Sequence, residues 1–239
     1  MIFSWEWLQP LAEGLPLTLN ITFTCIAVGL GLGVFLALGR VYGGRPIRWL
    51  TSAYIQFFRG TPLLVQLFII YFGLPNWGIT LSRYTSAILA LGLNTAAYQA
   101  EYFRGAIQAV RGGQMMAARS LGMTMSQAVR HIILPQAFRL VLPSWSNEFI
   151  LMLKYSSIVY TITLYDLMGQ GKRLASRNFR FFEIFVIVAL FYLALVLIVT
   201  LILRAIERKI RIPGLGFAGE AESRRQRLFK RGRSVGASA

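Results

Sequence analysis

The chain has 239 residues, 56% of them hydrophobic and 14% charged, with a mean hydropathy of +0.57. That excludes a disordered chain and exceeds the roughly 45–50% apolar usage of ordinary soluble domains. The formal charge of +16 would suggest nucleic acid in a soluble protein, but the cations lie mainly between apolar stretches and in the carboxyl-terminal tail. No RNP, zinc-finger or helix-turn-helix signature accompanies them, so membrane lipids and the positive-inside bias account for the charge and no nucleic-acid partner is expected. Single copies of Cys25 and His131 exclude a disulfide framework, a Cys site and a His cluster, so no metal or cofactor is expected in this chain. Residues 1–17 hold Glu6 and Glu13 but no Lys or Arg, so no signal peptide is expected.

A hydrocarbon core about 30 Å thick needs about 20 helical residues, and runs of about 18 apolar residues are candidate spans. Five are expected, at 17–39, 49–74, 85–103, 140–162 and 181–203, in an all-α polytopic membrane helical bundle. In the first, Gly29, Gly31 and Gly33 fail the GxGxxG pattern because Leu36 occupies its third place. Gly29 and Gly33, four apart, suit close helix packing. The second contains Arg59-Gly60-Thr61-Pro62, and the fourth contains Pro143, so bends are expected near both prolines. With the amino terminus outside, eighteen Lys and Arg fall in inside segments and five in outside ones, which orients the carboxyl terminus toward the cytoplasm.

The connection 104–139 is rich in Ala, Met, Gln and Arg. Its apolar residues Met116, Leu121, Met125, Val129 and Ile132 recur at spacings of three to five, which predicts short amphipathic helices at the membrane face. In the outer connection 160–180, Thr163-Leu164-Tyr165-Asp166 has capping-box spacing ahead of a short helix, and Asp166 reads as a helix-start residue. Gly169-Gln170-Gly171-Lys172-Arg173 lacks both the upstream Gly and the Ser or Thr of a phosphate loop, and reads as a flexible turn after that helix. Hydrolysis of ATP therefore requires another polypeptide. Residues 1–212 are expected to form one transmembrane domain, and 213–239 a basic, disordered cytoplasmic tail.

Polar residues within apolar spans usually face a partner or a water-lined path. Ser144, Glu148, Met152 and Tyr155 share one helical face, beside Ser146 and Asn147. That face suits a solvated pocket in which the Glu148 carboxylate and the Asn147 amide meet an ammonium group. An interhelical ion pair is the other role open to Glu148. In the third span Asn94, Tyr98, Glu101 and Gly105 form a stripe. Glu101 is expected to pair with Arg104, three residues on, and Asn94 and Tyr98 to line the path. Arg59 reads as a gate or packing element, Lys154 as a snorkelling or paired cation, and His131 as a surface or docking residue.

The run Gly113-Gln114-Met115-Met116-Ala117-Ala118-Arg119-Ser120-Leu121-Gly122, continuing to His131-Ile132-Ile133-Leu134-Pro135, resembles the loop motif of permease subunits of bacterial ABC importers. That motif reads EAA, three residues, G, nine residues, I-x-L-P. Ala117, Ala118, Gly122, Ile132, Leu134 and Pro135 fall at its spacing, and Met116 replaces its glutamate. Segments 59–66, 101–108 and 147–154 look like the polar amino acid branch of the same family, and the resemblance runs from about Leu11 to Arg208.

The resemblance implies a bacterial inner-membrane permease of an ATP-driven importer, with 113–135 forming a coupling helix seated in a separate ATPase subunit. It also implies ATP and Mg on that ATPase, a second permease subunit (self or related), an external solute-binding protein and an amino acid substrate. The residues alone leave another reading open, a stand-alone gradient-driven transporter or channel for small polar solutes.

Overall fold

The computed structural model describes residues 5–110 and 112–210, and every regular element among them is helical. The expected basic tail at 213–239 lies outside the described residues. A short helix α1 (Leu8–Ala12) leads into the long α2 (Leu15–Tyr42). Next come α3 (Arg45–Gly60) and α4 (Leu63–Phe68), the latter continued by a π turn at Ile69–Gly73 and a 3-10 turn at Leu74–Trp77. The long α5 (Arg83–Ala109) precedes two short helices, α6 (Gly112–Ser120) and α7 (Met125–Ala128). A π turn at Val129–Ile133 joins α7 to α8 (Leu134–Tyr155), which ends in a 3-10 segment, Ser156–Ile162. The last elements are α9 (Leu167–Asn178) and α10 (Phe181–Ile210).

The ends of these helices follow their sequences. Pro16 lies in the first turn of α2, where its missing N–H breaks no helical bond, and Gly43-Gly44 ends the helix. Ser82 caps α5, its hydroxyl accepting from the Thr85 N–H at 3.1 Å. The α2–α5 pair forms the centre of the bundle, and α3, α4 and α8 also pack on α5. Gly29 and Gly33 set how closely the pair approaches. A Cβ at Gly29 would lie 2.6 Å from Thr95 Cγ2, and one at Gly33 would lie 3.1 Å from both Ala100 N and Ala96 O. The packing role read from their four-residue spacing is thus observed. α10 instead turns Leu190, Leu193, Leu197 and Leu201 outward, as a lipid-facing helix does.

Two helical stretches, Leu8–Tyr42 and Phe181–Ile210, are long and apolar enough to cross a membrane; a third is reached if α3 and Leu63–Trp77 count as one span bent by 103°. The expected count of five is therefore met only in part by length and composition. The expected continuous second span is broken where the sequence placed a bend. Pro62 cannot donate to the ladder and disfavours the helical region for Thr61, which is extended (φ −115°, ψ 146°). α5 carries polar Asn94, Thr95, Gln99 and Glu101, which turn inward or pair rather than face lipid, and this lowers its apolar content.

Three further expectations need correction. The helix expected at 140–162 begins earlier, at Leu134, because Pro135 lies in the first turn of α8, where proline is tolerated, instead of interrupting it. Thr163 does not cap α9; it adopts a left-handed conformation (φ 59°), and Asp166 is the cap, accepting from the Gly169 N–H at 2.9 Å. Gly169–Arg173 is no flexible turn but lies inside α9, where a Cβ on Gly171 would come within 2.5 Å of Val188 Cγ2.

Candidate functional site

The site is built on one face of α5. Thr95 and Tyr102 are seven residues apart, two turns along a single stripe. Thr95 Oγ1 donates to Glu148 Oε1 at 2.7 Å, and the Tyr102 hydroxyl donates to Glu148 Oε2 at 3.2 Å. Glu148 reaches them from α8 and is buried, as is Thr95. Among the described residues no Lys or Arg lies within 4.0 Å of its carboxylate, and every ion pair found there converges on Glu101 instead. The interhelical ion pair open to Glu148 from the sequence is thus not what surrounds it. Two neutral hydroxyls hold its oxygens, and among the described residues no cation touches this buried acid; the charge of Arg59 acts on it only from beyond 4.0 Å.

The other path residues expected from the sequence divide. Ser144 is half-buried one turn before Glu148, whereas Asn147 is exposed and takes no part in the Glu148 hydrogen bonds. Asn94 is buried, but its amide is already used: Nδ2 donates to Phe58 O and to Gln66 Oε1, each at 3.0 Å. Gln66 Nε2 in turn lies 2.8 Å from Phe58 O, 3.0 Å from Thr61 O and 2.7 Å from Thr61 Oγ1. These are the groups freed where α3 ends at Thr61-Pro62, so Asn94 and Gln66 satisfy the broken helix. Tyr98 is half-buried, with the Arg59 guanidinium 5.2 Å from its ring centroid.

Glu101 pairs with Arg104 as expected, its Oε2 accepting from Nη2 at 2.8 Å and Nε at 3.1 Å. Arg40, at the end of α2, binds the other oxygen, and Arg59 Nη1 stands 3.9 Å from Oε2. Sequence reasoning missed Arg40, Thr95, Gln66 and Tyr102. Thr95 and Tyr102 had a signal in their i, i+7 spacing within a span, one position to the side of the stripe chosen.

The connection 112–135 contains the expected short helices. α6 ends in a Schellman turn: Met123 N–H donates to Ala118 O at 3.1 Å, Gly122 N–H to Arg119 O at 3.0 Å, and Gly122 has φ +80°. Thr124 then caps α7 in a capping box with Gln127. Ala118 is buried, and Met115, Ile132 and Leu134 pack against the cluster of Ala37, Phe103 and Ile107 at the end of the α2–α5 pair. On the other side Gly113, Ala117 and Gly122 are exposed, Pro135 and His131 are exposed at the foot of α8, and Met116 and Leu121 are 71% and 84% exposed. Met116 and Leu121 thus form an exposed apolar patch at the tip, beside exposed Arg119 and Ser120.

A small latch closes the opposite end of the fold. The Leu167 N–H donates to Thr18 Oγ1 at 3.0 Å, and the Tyr192 hydroxyl donates to Asp166 Oδ2 at 3.1 Å. Burial pushes the Asp166 carboxyl up from 3.8 to about 6, against the lowering effect of hydrogen bonds from Gly169 and Tyr192. Among the described residues no group of His, Cys, Asp or Glu could hold a metal ion.

Residues 29–212 match the family described as binding-protein-dependent transport system inner membrane component. The chain belongs to that family. The chain is 40% identical over 200 residues to the arginine transport system permease protein of Bacillus subtilis (strain 168), covering 83% of this chain and 91% of that one. It is 35% identical over 218 residues to the glutamine transport system permease protein of Escherichia coli (strain K12), covering 89% and 100%. A crystal structure of an amino acid ABC transporter with histidines superposes with a TM-score of 0.80 at 42% identity, covering 85% of this chain and 95% of that one. The inward-facing methionine transporter MetNI shares the fold, with a TM-score of 0.74 at 22% identity. The family member described here is accordingly a multi-pass inner-membrane transport subunit, not an enzyme.

Proposed function

We propose that this permease carries polar amino acids through a pathway beside α5 and α8, with the Glu148 carboxylate receiving the substrate ammonium. The observation that carries the reading is a buried acid held by Thr95 and Tyr102 with no Lys or Arg within 4.0 Å of it among the described residues. A charge at such a place is stabilised by an incoming cation, and an ammonium is the cation common to all amino acids. Relatives named for arginine and glutamine transport support the substrate class. Ser144 lines the same face of α8, and Tyr98 lines the path on α5.

Five crossings are proposed, since α5 and α8 have 27 and 22 residues, or about 40 and 33 Å at about 1.5 Å per residue. Their polar groups are turned into the bundle, where lipid does not meet them. The amino terminus lies outside and the carboxyl terminus in the cytoplasm, supported by the distribution of Lys and Arg. A second permease subunit, two ATPase subunits and an external solute-binding protein complete the importer. The ATPase grips α6 and its Schellman turn, with the exposed Met116 and Leu121 giving an apolar contact where the family motif has an acid.

The test is Glu148→Gln in the complete importer reconstituted in vesicles. Amino acid binding to the permease–ATPase complex should fall at least tenfold, as expected for loss of one buried charge-assisted hydrogen bond, roughly 1.5–3 kcal/mol. Unchanged affinity would remove Glu148 from the pathway.

A further inference from the structure

The cluster around Glu101 holds more positive charge than its acid neutralises. Arg40 takes one carboxylate oxygen and Arg104 takes the other through two nitrogens. Both oxygens are therefore engaged before Arg59 arrives, and Arg59 Nη1 stops 3.9 Å away, beyond hydrogen-bond distance. Among the described residues no acceptor forms a hydrogen bond with Arg59. Its side chain is 43% exposed, and the guanidinium lies over the ring of Tyr98. A guanidinium has five donors in a planar fork suited to carboxylate, and here its hydrogen-bonding edge is free while an aromatic face supports its plane.

The placement of that free edge relates it to Glu148. Tyr98 and Tyr102 are four residues apart on α5, about 6 Å along its axis. The first carries Arg59, and the hydroxyl of the second binds Glu148 Oε2 at 3.2 Å. An acid and a spare cation thus stand at the two ends of a short two-tyrosine strip. The ammonium and carboxylate of an α-amino acid share one carbon, so they need opposite charges a few hydrogen-bond lengths apart. The charge of Arg59 acts on Glu148 across this strip.

We propose that Arg59 is the carboxylate-binding group of the substrate pathway: it binds the α-carboxylate of the amino acid whose ammonium Glu148 holds. The inference rests on the reading of Glu148 given above and extends it to a requirement for a zwitterionic substrate. The Glu101 cluster supplies the means. Arg40 and Arg104 hydrogen-bond both oxygens of Glu101, and Arg59 stands beside the same acid at 3.9 Å without a hydrogen bond to it.

The experiment uses the complete permease–ATPase complex in detergent, without the external receptor, and measures equilibrium binding of two matched probes. L-arginine carries the α-carboxylate, and agmatine is the same molecule without it. The wild type should bind L-arginine roughly tenfold or more tightly than agmatine, the effect of a charge-assisted hydrogen bond. Arg59→Gln should abolish that preference and leave agmatine affinity unchanged, while Arg59→Lys, which keeps the charge but loses the fork, should retain part of it. Glu148→Gln should weaken both probes together.

Equal binding of the two probes by the wild type would overturn the proposal. So would a preference that survives in Arg59→Gln, even with Glu148→Gln weakening both, an outcome that leaves the Glu148 reading intact. If Glu148→Gln leaves both affinities unchanged, the Glu148 reading fails, whatever Arg59 does. Should Arg59→Gln not assemble, the Arg59→Lys ratio decides: a preference equal to wild type overturns the role of the fork.

Discussion

Alanine substitutions at three glycines of α2 test the link between packing and site. Gly29, Gly31 and Gly33 sit within two turns of one helix, so the chemical change and the local propensity are shared. A Cβ at Gly31 meets nothing within 4 Å. Gly31→Ala should therefore stabilise the protein slightly, by up to about 1 kcal/mol from helix propensity alone. At Gly29 the added methyl would stand 2.6 Å from Thr95 Cγ2 and would also press on the Gln99 amide. Thr95 is β-branched and has few alternative rotamers, so the helices must separate or Thr95 must turn.

Overpacking of this kind costs about 1–3 kcal/mol, which after the propensity gain leaves a net loss of up to about 2 kcal/mol. For a chain of this size that is a fall of up to about 8 °C in melting temperature. Thr95 also donates to Glu148, so Gly29→Ala should weaken substrate binding as well as stability. Gly33→Ala meets backbone, Ala96 O and Ala100 N at 3.1 Å, and should destabilise with less effect on binding. Thermal melting of the solubilised complex and equilibrium binding separate the three. Equal effects at Gly29 and Gly31 would refute the packing argument.

Asp166 supplies a pH dependence. Its folded carboxyl is raised from 3.8 to about 6, so the fold favours the protonated form. Stability should be fully present below about pH 3.8, fall between there and about pH 6, and level off above, by a total of about 3 kcal/mol. Asp166→Asn keeps an N-cap and should abolish that slope in melting curves; a parallel slope in wild type and variant would contradict it. At Gly122 nothing lies within 4 Å of an added Cβ, so the constraint is the left-handed backbone itself. Gly122→Asn should couple nearly normally, whereas Gly122→Val should lower uptake per ATP hydrolysed while leaving the subunit in the membrane. Gln66→Leu leaves the Thr61 carbonyl unpaired and removes the acceptor of the Asn94 amide, and should cost about 1–3 kcal/mol in thermal unfolding, with Asn94→Leu similar. Wild-type melting temperatures would show that the break is solvated some other way.

Much of the fold can be read along the chain because its signals are local. The Gly29–Gly33 spacing, the Asp166 cap, the Glu101–Arg104 pair and the break at Pro62 each depend on residues within a turn or two of one another. The motif 113–135 likewise names the family through spacing alone. What escapes local reading is which neighbour each face meets. The stripe through Asn94 and Tyr98 is on the correct helix, but α8 meets α5 one position around it, at Thr95 and Tyr102. Asn94 is consumed by carbonyls freed 36 residues earlier, a demand visible only once α3 lies against α5. Arg40 reaches Glu101 across 61 residues for the same reason. The interior helices α5 and α8 also lack the long apolar runs of α10, because helices packed within a bundle can carry polar groups that a lipid-facing helix cannot.

On the proposed function, this chain is a pathway moved by a separate ATPase. Vesicles can be prepared with the permease alone, with its ATPase, and with both the ATPase and the external amino acid receptor, each with and without ATP inside the compartment facing α6. Amino acid uptake is predicted only with all components and ATP. Uptake down a gradient by the permease alone, at a comparable rate and without nucleotide, would contradict it.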